Sequence, residues 1–576
     1  MLLHCKFRKV IVVSAVLFLA HINVRTQTSG TDQKSEITTG SITGRVLNDG
    51  KGVAGATVFA SAAVRSPQTR NARTDSDGNF VFEGLDRALY SLSAFAPGFV
   101  VPPPDPEAAA PFYRIGDSAQ LNLIKGGVIT GSVLSLSGQP VVLVPVRATL
   151  IRDNYGNRNY GNVRFERVTD DRGIYRIYGL PPGTYLVSAG GPSFGGPYEG
   201  HSPTYAPSSA RDAAAQFVVT SGSEITGVDI KYRGEDGHAI SGTITGQIQT
   251  DVSFTTSVSL NQLLDGSPAP YSWTYVPPGV KGFAFYGIAD GDYELTAQLG
   301  SRSGGLISET KRITVRGTDV TGVELNLKAF ASVNGRVLLT RTDLAACKDK
   351  REPLLTETLV SLRAIEADKA NQQPLNLGSH SVVDKSGDFQ VRNLRPGQYQ
   401  FGTRFFAKYW FLKSIVKPSA KTATATTPTD LAKTGLNLKF GDNISGVTVN
   451  LAEGAASLRG TVKATAGERL PERLFAYLVP AEKEFADDVL RFFAAQTNPD
   501  GSFGFNNVAP GRYFAITQVA AADETQIERR LRLPNESMRR ARLRREAEAG
   551  KSVIELKPCQ NLTEYSLPSI ATTRPQ

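Results

Sequence analysis

One spacing recurs five times and limits what this chain can fold into. A Gly or Asn is followed six residues later by Tyr: Gly84 and Tyr90, Gly179 and Tyr185, Gly287 and Tyr293, Asn393 and Tyr399, Asn507 and Tyr513. Ahead of each pair lies an alternating dyad: Phe80/Phe82, Tyr175/Ile177, Phe283/Phe285, Phe389/Val391 and Phe503/Phe505. A period of two is the mark of a half-buried strand. Two residues before the tyrosine stands Gly183, Gly291, Gly397 or Gly511, and the first copy has Ala88 instead. Turn, strand, turn, strand is thus repeated along the chain, which predicts antiparallel β units in tandem.

Other strands keep the same order around that centre. Units open with Gly40-Ser-Ile-Thr-Gly-Arg-Val46, Ile129-Thr-Gly-Ser-Val133, Ile240-Ser-Gly-Thr-Ile244, Val333-Asn-Gly-Arg-Val337 and Leu458-Arg-Gly-Thr-Val462. They close with strings such as Glu224-Ile-Thr-Gly-Val-Asp-Ile230, Val320-Thr-Gly-Val-Glu-Leu325 and Ile444-Ser-Gly-Val-Thr-Val449. A length of 576 residues exceeds what one core serves. The expected fold is all-β, a tandem array of about five immunoglobulin-like or transthyretin-like β-sandwiches with a short basic helix near the C-terminus. The expected division is a signal peptide at 1–25, a linker at 26–38, and sandwiches at 39–125, 126–234, 235–330, 331–453 and 454–558. A helical insertion at 523–550 interrupts the fifth, and 559–576 form a tail. Short linkers predict a semi-rigid rod of beads. Each tyrosine ring is expected in a core with its hydroxyl satisfied at the rim. Loss of one, such as Tyr185, should unfold its own domain by roughly 2–4 kcal/mol and leave distant ones intact.

The N-terminus has the form of an export signal. Lys6, Arg8 and Lys9 precede an apolar run from Val10 to Ala20. An uncleaved anchor is the alternative. Nothing later is apolar enough to span a membrane. The location implied is periplasmic, cell-surface or extracellular. Formal charge is +10; losing Lys6, Arg8, Lys9 and Arg25 would leave about +6, ordinary for this size. Cys347 and Cys559 then remain, either bridged in an oxidising compartment or as two free thiols.

The quoted strings resemble carboxypeptidase regulatory-like domains, grouped with transthyretin-like and collagen-adhesin B-type modules in a carbohydrate-binding-like fold. The resemblance runs over nearly the whole exported chain. It implies a domain that accompanies peptidases, transporters or surface proteins and brings no catalytic residues of its own. It also suggests a bacterial secreted protein. The third unit departs from the pattern, with Gly279-Val-Lys-Gly282 in place of the acidic turn.

Candidate sites are few. Asp75-Ser-Asp-Gly78, Asp384-Lys-Ser-Gly387 and Asn498-Pro-Asp-Gly501 resemble calcium loops but lack a full oxygen set, and Asp-Gly is also a hairpin pair. Gly191-Pro-Ser-Phe-Gly195 fits a hydrolase pattern but sits in a Gly/Pro-rich loop, without the strand and helix that pattern needs. His201, His238 and His380 are widely separated, without metal-ligand spacing. No catalytic residue, metal or cofactor is therefore expected. Tyr198 and Tyr205, in a glycine-rich loop, are the candidate ligand-binding residues, since sugars stack on exposed rings. The aromatic cluster Phe405 to Phe411 reads as a buried strand and its edge. Eight arginines between 529 and 545 make the insertion basic. It is read as a solvated helix, with Asn535 as cap, Gly550 as stop and Met538 and Ala541 on a thin apolar face. Anionic envelope polymers are its other possible target, and nucleic acid is not expected.

The expected function is non-catalytic binding of polysaccharide by an exported protein, through loops at the sandwich ends. The alternatives are a structural or adhesive rod that binds envelope proteins, and an accessory module of a separately encoded peptidase or transporter.

Overall fold

The computed structural model describes residues 39–568, except 64–68, 104–110, 155, 157–163, 193–196, 247–253, 265–266, 301–304, 366–379, 419–427, 464–468, 522–523 and 525. The expected signal peptide and linker, the last residues of the expected tail and Ser193 of the hydrolase-like string lie outside the described residues.

Five sandwiches share one plan. In the first, the opening strand Thr39–Asn48 pairs antiparallel with Asn79–Asp86 and parallel with the closing strand Ser118–Asn122. The opposing sheet holds Thr57–Ala62 between Thr69–Arg73 and Tyr90–Phe95. The opening strands Gly127–Ser135, His238–Gly246, Ala331–Thr340 and Ala456–Lys463 repeat this pairing in the other four. In the third, the short strand Leu306–Ser308 bonds to both Gly291–Leu299 and Val320–Ala329 and joins its two sheets into one of eight strands.

The recurrent residues have mechanical reasons. Glycine in each opening strand lets the first aromatic of the dyad lie across the backbone. A Cβ on Gly335 would fall 2.5 Å from Phe389 Cζ and 2.2 Å from the Val447 carbonyl oxygen. Gly44, Gly131, Gly242 and Gly460 stand in the same relation to Phe80, Tyr175, Phe283 and Phe503. The five repeat tyrosines are at most 7 % exposed. Each hydroxyl donates to the carbonyl four residues back: Tyr90 to Asp86, Tyr185 to Pro181, Tyr293 to Ala289, Tyr399 to Arg395 and Tyr513 to Ala509, at 2.7–2.9 Å. The ring fills the core while its one polar atom is satisfied at the turn, a tyrosine corner.

The fifth sandwich differs from expectation. Its final strand is Asn561–Pro568, parallel to Ala456–Lys463, and Val553–Leu556 belongs to the opposite sheet. The boundary at 558 and the tail from 559 are therefore corrected. Leu562-Thr-Glu-Tyr-Ser-Leu567 is the closing string with Glu564 in the place of Gly227, Gly322 and Gly446. Glu564 keeps the left-handed backbone of those glycines, φ +64°. That conformation crowds an L side chain by about 1–2 kcal/mol. Glu564→Gly is expected to stabilise this sandwich by about 1 kcal/mol, read as a higher urea midpoint with the slope unchanged.

The helical insertion is an additional layer. Leu474–Pro480 is buried on both faces. Its outward residues Phe475, Tyr477 and Val479 meet Ile527, Leu531, Leu543 and Ala547 in a core of their own. Helix α1 spans Ile527–Leu531 and α2 spans Ser537–Ala549, after a break at Pro534. The expected cap and apolar face are corrected. Glu536 stands at the N-cap but its side chain makes no capping bond, Met538 is 85 % exposed, and the buried positions are Arg540, Leu543 and Ala547. Seven of the eight arginines are engaged within the protein. Arg540 donates to the Leu531 and Leu533 carbonyls and Arg544 to Pro480 and Ala481. Arg529 donates to Ala364, while Arg530, Arg532, Arg539 and Arg542 pair with glutamates.

Candidate functional site

Tyr198 and Tyr205 do not form the open surface expected of them. Tyr205 lies in the strand Thr204–Tyr205, paired with Ser188, and is 7 % exposed. It is buried because that strand extends the second sheet of sandwich 2. Tyr198 is half-buried against the same sandwich's core. Its hydroxyl donates to the Val142 carbonyl, and its ring meets Tyr232 edge-on at 5.8 Å. Both tyrosines thus belong to their own sandwich.

The acidic turns use their carboxylates on their own backbone. Asp170 Oδ1 accepts from the N–H groups of Arg172 and Ile174, Asp75 Oδ1 from Asp77 and Asn79, and Asp384 Oδ1 from Ser386 and Asp388. Among the described residues no three His, Cys, Asp or Glu side chains converge as a metal site would require. The Ile174 amide, then the Arg172 guanidinium, holds the Asp170 carboxyl below the usual carboxylate range. A depressed folded-state pKa contributes stability above the unfolded value of about 3.9, lost as pH falls through the folded value. Asp170→Asn keeps the oxygen acceptor and removes the charge. Between pH 5 and pH 2 the urea midpoint of sandwich 2 should fall less steeply in this variant. Equal slopes would refute the assignment.

His201, His238 and His380 stay apart. His201 Nδ1 is 2.9 Å from Tyr232 Oη, His238 sits beside Asp290 and Asp319, and His380 lies against Phe112. Among the described residues no helix is long and apolar enough to cross a membrane.

The feature that does recur is a joint. The Gly or Asn six residues before each tyrosine has a left-handed backbone: φ +62° at Gly84, +76° at Gly179, +69° at Gly287, and +55° at Asn393 and Asn507. Pairing with the opening strand slips by one residue there, a β-bulge. In sandwiches 2 to 5 the bulge faces the preceding unit or the link to it. Gly179 abuts Gly126, which donates its N–H to the Gly98 carbonyl of sandwich 1. A Cβ on Gly287 would be 2.6 Å from the His201 carbonyl oxygen. Asn393 Oδ1 accepts from the Gly305 N–H at 3.2 Å. Asn507 Nδ2 donates to the Ala407 and Trp410 carbonyls, each at 2.7 Å. Glycine serves where backbones touch, and asparagine serves where a side chain must reach across. The spacing to Tyr was legible in the sequence; the joint was not, because its partner lies in another unit.

Two further links correct the picture of independent beads. Cys347 and Cys559 are bonded and tie sandwich 4 to sandwich 5. Val489 of sandwich 5 joins the core of sandwich 4 beside Leu431 and Ala432. Sandwich 1 also touches sandwich 4. Arg114 lies 4.6 Å from the centre of the Phe406 ring and 3.9 Å from the buried Glu357 carboxylate, and Arg404 lies 5.5 Å from the centre of the Phe112 ring. The cluster around Phe405 to Phe411 therefore has two uses: Trp410 is fully buried core, and Phe406 is an inter-unit contact.

Residues 41–102 match the family model of the carboxypeptidase regulatory-like domain. No curated protein matches the chain. Similar solved structures include the Bacillus anthracis TIE protein, at 14 % identity, 50 % of this chain, 51 % of that one and a TM-score of 0.14. The chain thus spans about half the length of that protein. GBS52, the minor pilin of Streptococcus agalactiae, gives 13 %, 34 %, 96 % and 0.19; BcpA, the major pilin subunit of Bacillus cereus, gives 12 %, 57 %, 100 % and 0.14. Likeness of this degree speaks to neither function nor arrangement. The four later sandwiches repeat the strand order, the bulge and the tyrosine of the first, so the described chain is a tandem array of one design whose first unit, over residues 41–102, is similar to the carboxypeptidase regulatory-like domain.

Proposed function

We propose that this protein is a non-catalytic structural and binding array of the cell envelope, which holds binding surfaces at fixed separations and contacts envelope proteins. The observation that carries this reading is the joint. One bulge position docks each sandwich on its predecessor, and a disulfide reinforces the last junction. Such locking suits a spacer better than a loose string of ligand traps. Fractionation of the producing cells, followed by cross-linking of intact cells, tests it. Recovery in the envelope, linked to an envelope protein, supports the proposal; a cytosolic, unlinked protein overturns it. Polysaccharide binding is the second reading. The exposed Tyr275 of sandwich 3 favours it over the Tyr198 and Tyr205 loop.

A further inference from the structure

The helical insertion of sandwich 5 leaves a cleft beside it. The cleft has a volume of about 500 Å³ and lies between α2 and the segment that follows Leu474–Pro480. Asp487 is on one wall, and Ser537, Met538, Arg540, Arg544 and Arg545 line the other. Steps of three and four residues along a helix keep to one face, which brings these α2 side chains together. Ser537 is the first residue of α2, and no side-chain bond caps that end. The unpaired N–H groups of a first helical turn carry partial positive charge.

Cations outnumber anions in this cleft. Arg540 is 2 % exposed. Its Nη1 donates to two carbonyls, while Nη2 reaches Asp487 Oδ1 only at 3.6 Å. Asp487 is closer to Lys433, at 2.6 Å, so one carboxylate serves two cations. Arg540 Nε is buried without a hydrogen-bond partner. Burial, opposed by Asp487, holds this guanidinium below the usual arginine value. Arg544 gives Nε and Nη2 to the Pro480 and Ala481 carbonyls, and its Nη1 donors are left over. Among the described residues, neither the exposed Arg545 guanidinium nor the Ser537 hydroxyl has a hydrogen-bond or ionic partner. Glu546 of α2 is paired with Arg542. Glu548, one turn beyond Arg544 and Arg545, forms an ion pair with neither. Met538 stands beside these donors, 85 % exposed. Guanidinium forks and a hydroxyl match a tetrahedral oxyanion with several acceptor oxygens, which is a phosphate group. A pliable apolar side chain at its rim suits an apolar group attached to that phosphate.

We infer that the cleft beside α2 binds a phosphate group, with Arg545, Ser537 and the remaining donors of Arg544 holding its oxygens and the buried charge of Arg540 behind them. The site is independent of the array and of polysaccharide binding, so each can fail alone. A phosphate group can come from two sources, free phosphate or the headgroup of an anionic phospholipid. The purified protein should be titrated calorimetrically at low ionic strength with inorganic phosphate and with dihexanoyl phosphatidylglycerol below its micelle concentration. Binding is expected, and salt should weaken it. Arg545→Ala should weaken it roughly three- to tenfold. Glu548→Gln removes the unpaired acid next to the site and should tighten it roughly twofold. Arg542→Gln removes the same charge as Arg545→Ala from a position outside the cleft lining, where it pairs with Glu546, and should bind as the parent does. The three side chains are exposed, so the melting temperature should not change. Tighter binding of the lipid than of phosphate, reduced by Met538→Ser, supports the site with a phospholipid headgroup as its ligand. Equal binding of the two, indifferent to Met538→Ser, supports it with free phosphate. No binding of either, or binding that Arg545→Ala leaves unchanged, overturns the site. So does an equal loss in Arg542→Gln, because the attraction would then belong to the basic helix as a whole.

Discussion

Tyr293→Ala is expected to destabilise sandwich 3 by about 3–5 kcal/mol. The ring is fully buried, lies edge-on to Tyr271 at 5.2 Å, and anchors its turn through the 2.7 Å bond to the Ala289 carbonyl. Alanine leaves a ring-sized void between two sheets that one shared strand holds together, so collapse around it is restricted. Tyr293→Phe keeps the ring and loses only the bond, and should cost about 1 kcal/mol. Trp273 reports on sandwich 3 and Trp410 on sandwich 4, so a Trp273→Phe background isolates the second signal. In that background with Tyr293→Ala, the Trp410 transition should move little in urea, since sandwich 4 keeps its own core and its hold on sandwich 5. The loss of sandwich 3 should appear in far-ultraviolet dichroism at lower urea. One shared transition for both signals would show that the joints make the array a single cooperative unit.

The residues explain why some features could be read from the sequence and others not. The tyrosine and its aromatic dyad belong to one hairpin, so a fixed spacing of a few residues encodes them and the pattern survives five copies. The glycine of each opening strand is visible in the same way, although its reason lies in the neighbouring strand. The last strand of sandwich 5 escaped because Glu564 replaces the glycine by which closing strings are recognised, and because the helical insertion sets it far from its centre. The insertion's cover for Leu474–Pro480 had a signal. A strand apolar at every position needs a layer on both faces. Tyr205 could not be told from an exposed loop residue, since pairing of Thr204 and Tyr205 with Ser188 and Ala189 leaves no periodic mark in two residues. Nothing local distinguishes Trp273 from Tyr271 either; the bulge between them decides which ring faces solvent.

Removing the disulfide has the second large effect. Cys347→Ser with Cys559→Ser is expected to destabilise the joined sandwiches 4 and 5 by about 2–4 kcal/mol. The bridge closes a loop of sequence separation 212. In the chain-entropy account most of its effect falls on the unfolded chain, which it confines, and long loops gain the most. The folded state contributes separately. Cys347 is 2 % exposed and Cys559 8 % exposed, and the Cys559 N–H donates to the Gly454 carbonyl at the junction between the two units. Serine leaves two buried hydroxyls there in place of an apolar pair. The Asn507 bonds and the Lys433–Asp487 ion pair at 2.6 Å hold the same interface without the bridge. The variant should therefore fold, and its Trp410 transition should move to lower urea. Reductant should shift the parent to the same midpoint and leave the variant where it is. Thiol titration of the unreduced, urea-unfolded protein should find neither Cys347 nor Cys559. Two reactive thiols in that experiment would remove the covalent tie. The joints at Asn393 and Asn507, the Lys433–Asp487 pair and the packing of Val489 would then order the last three sandwiches without a covalent bond.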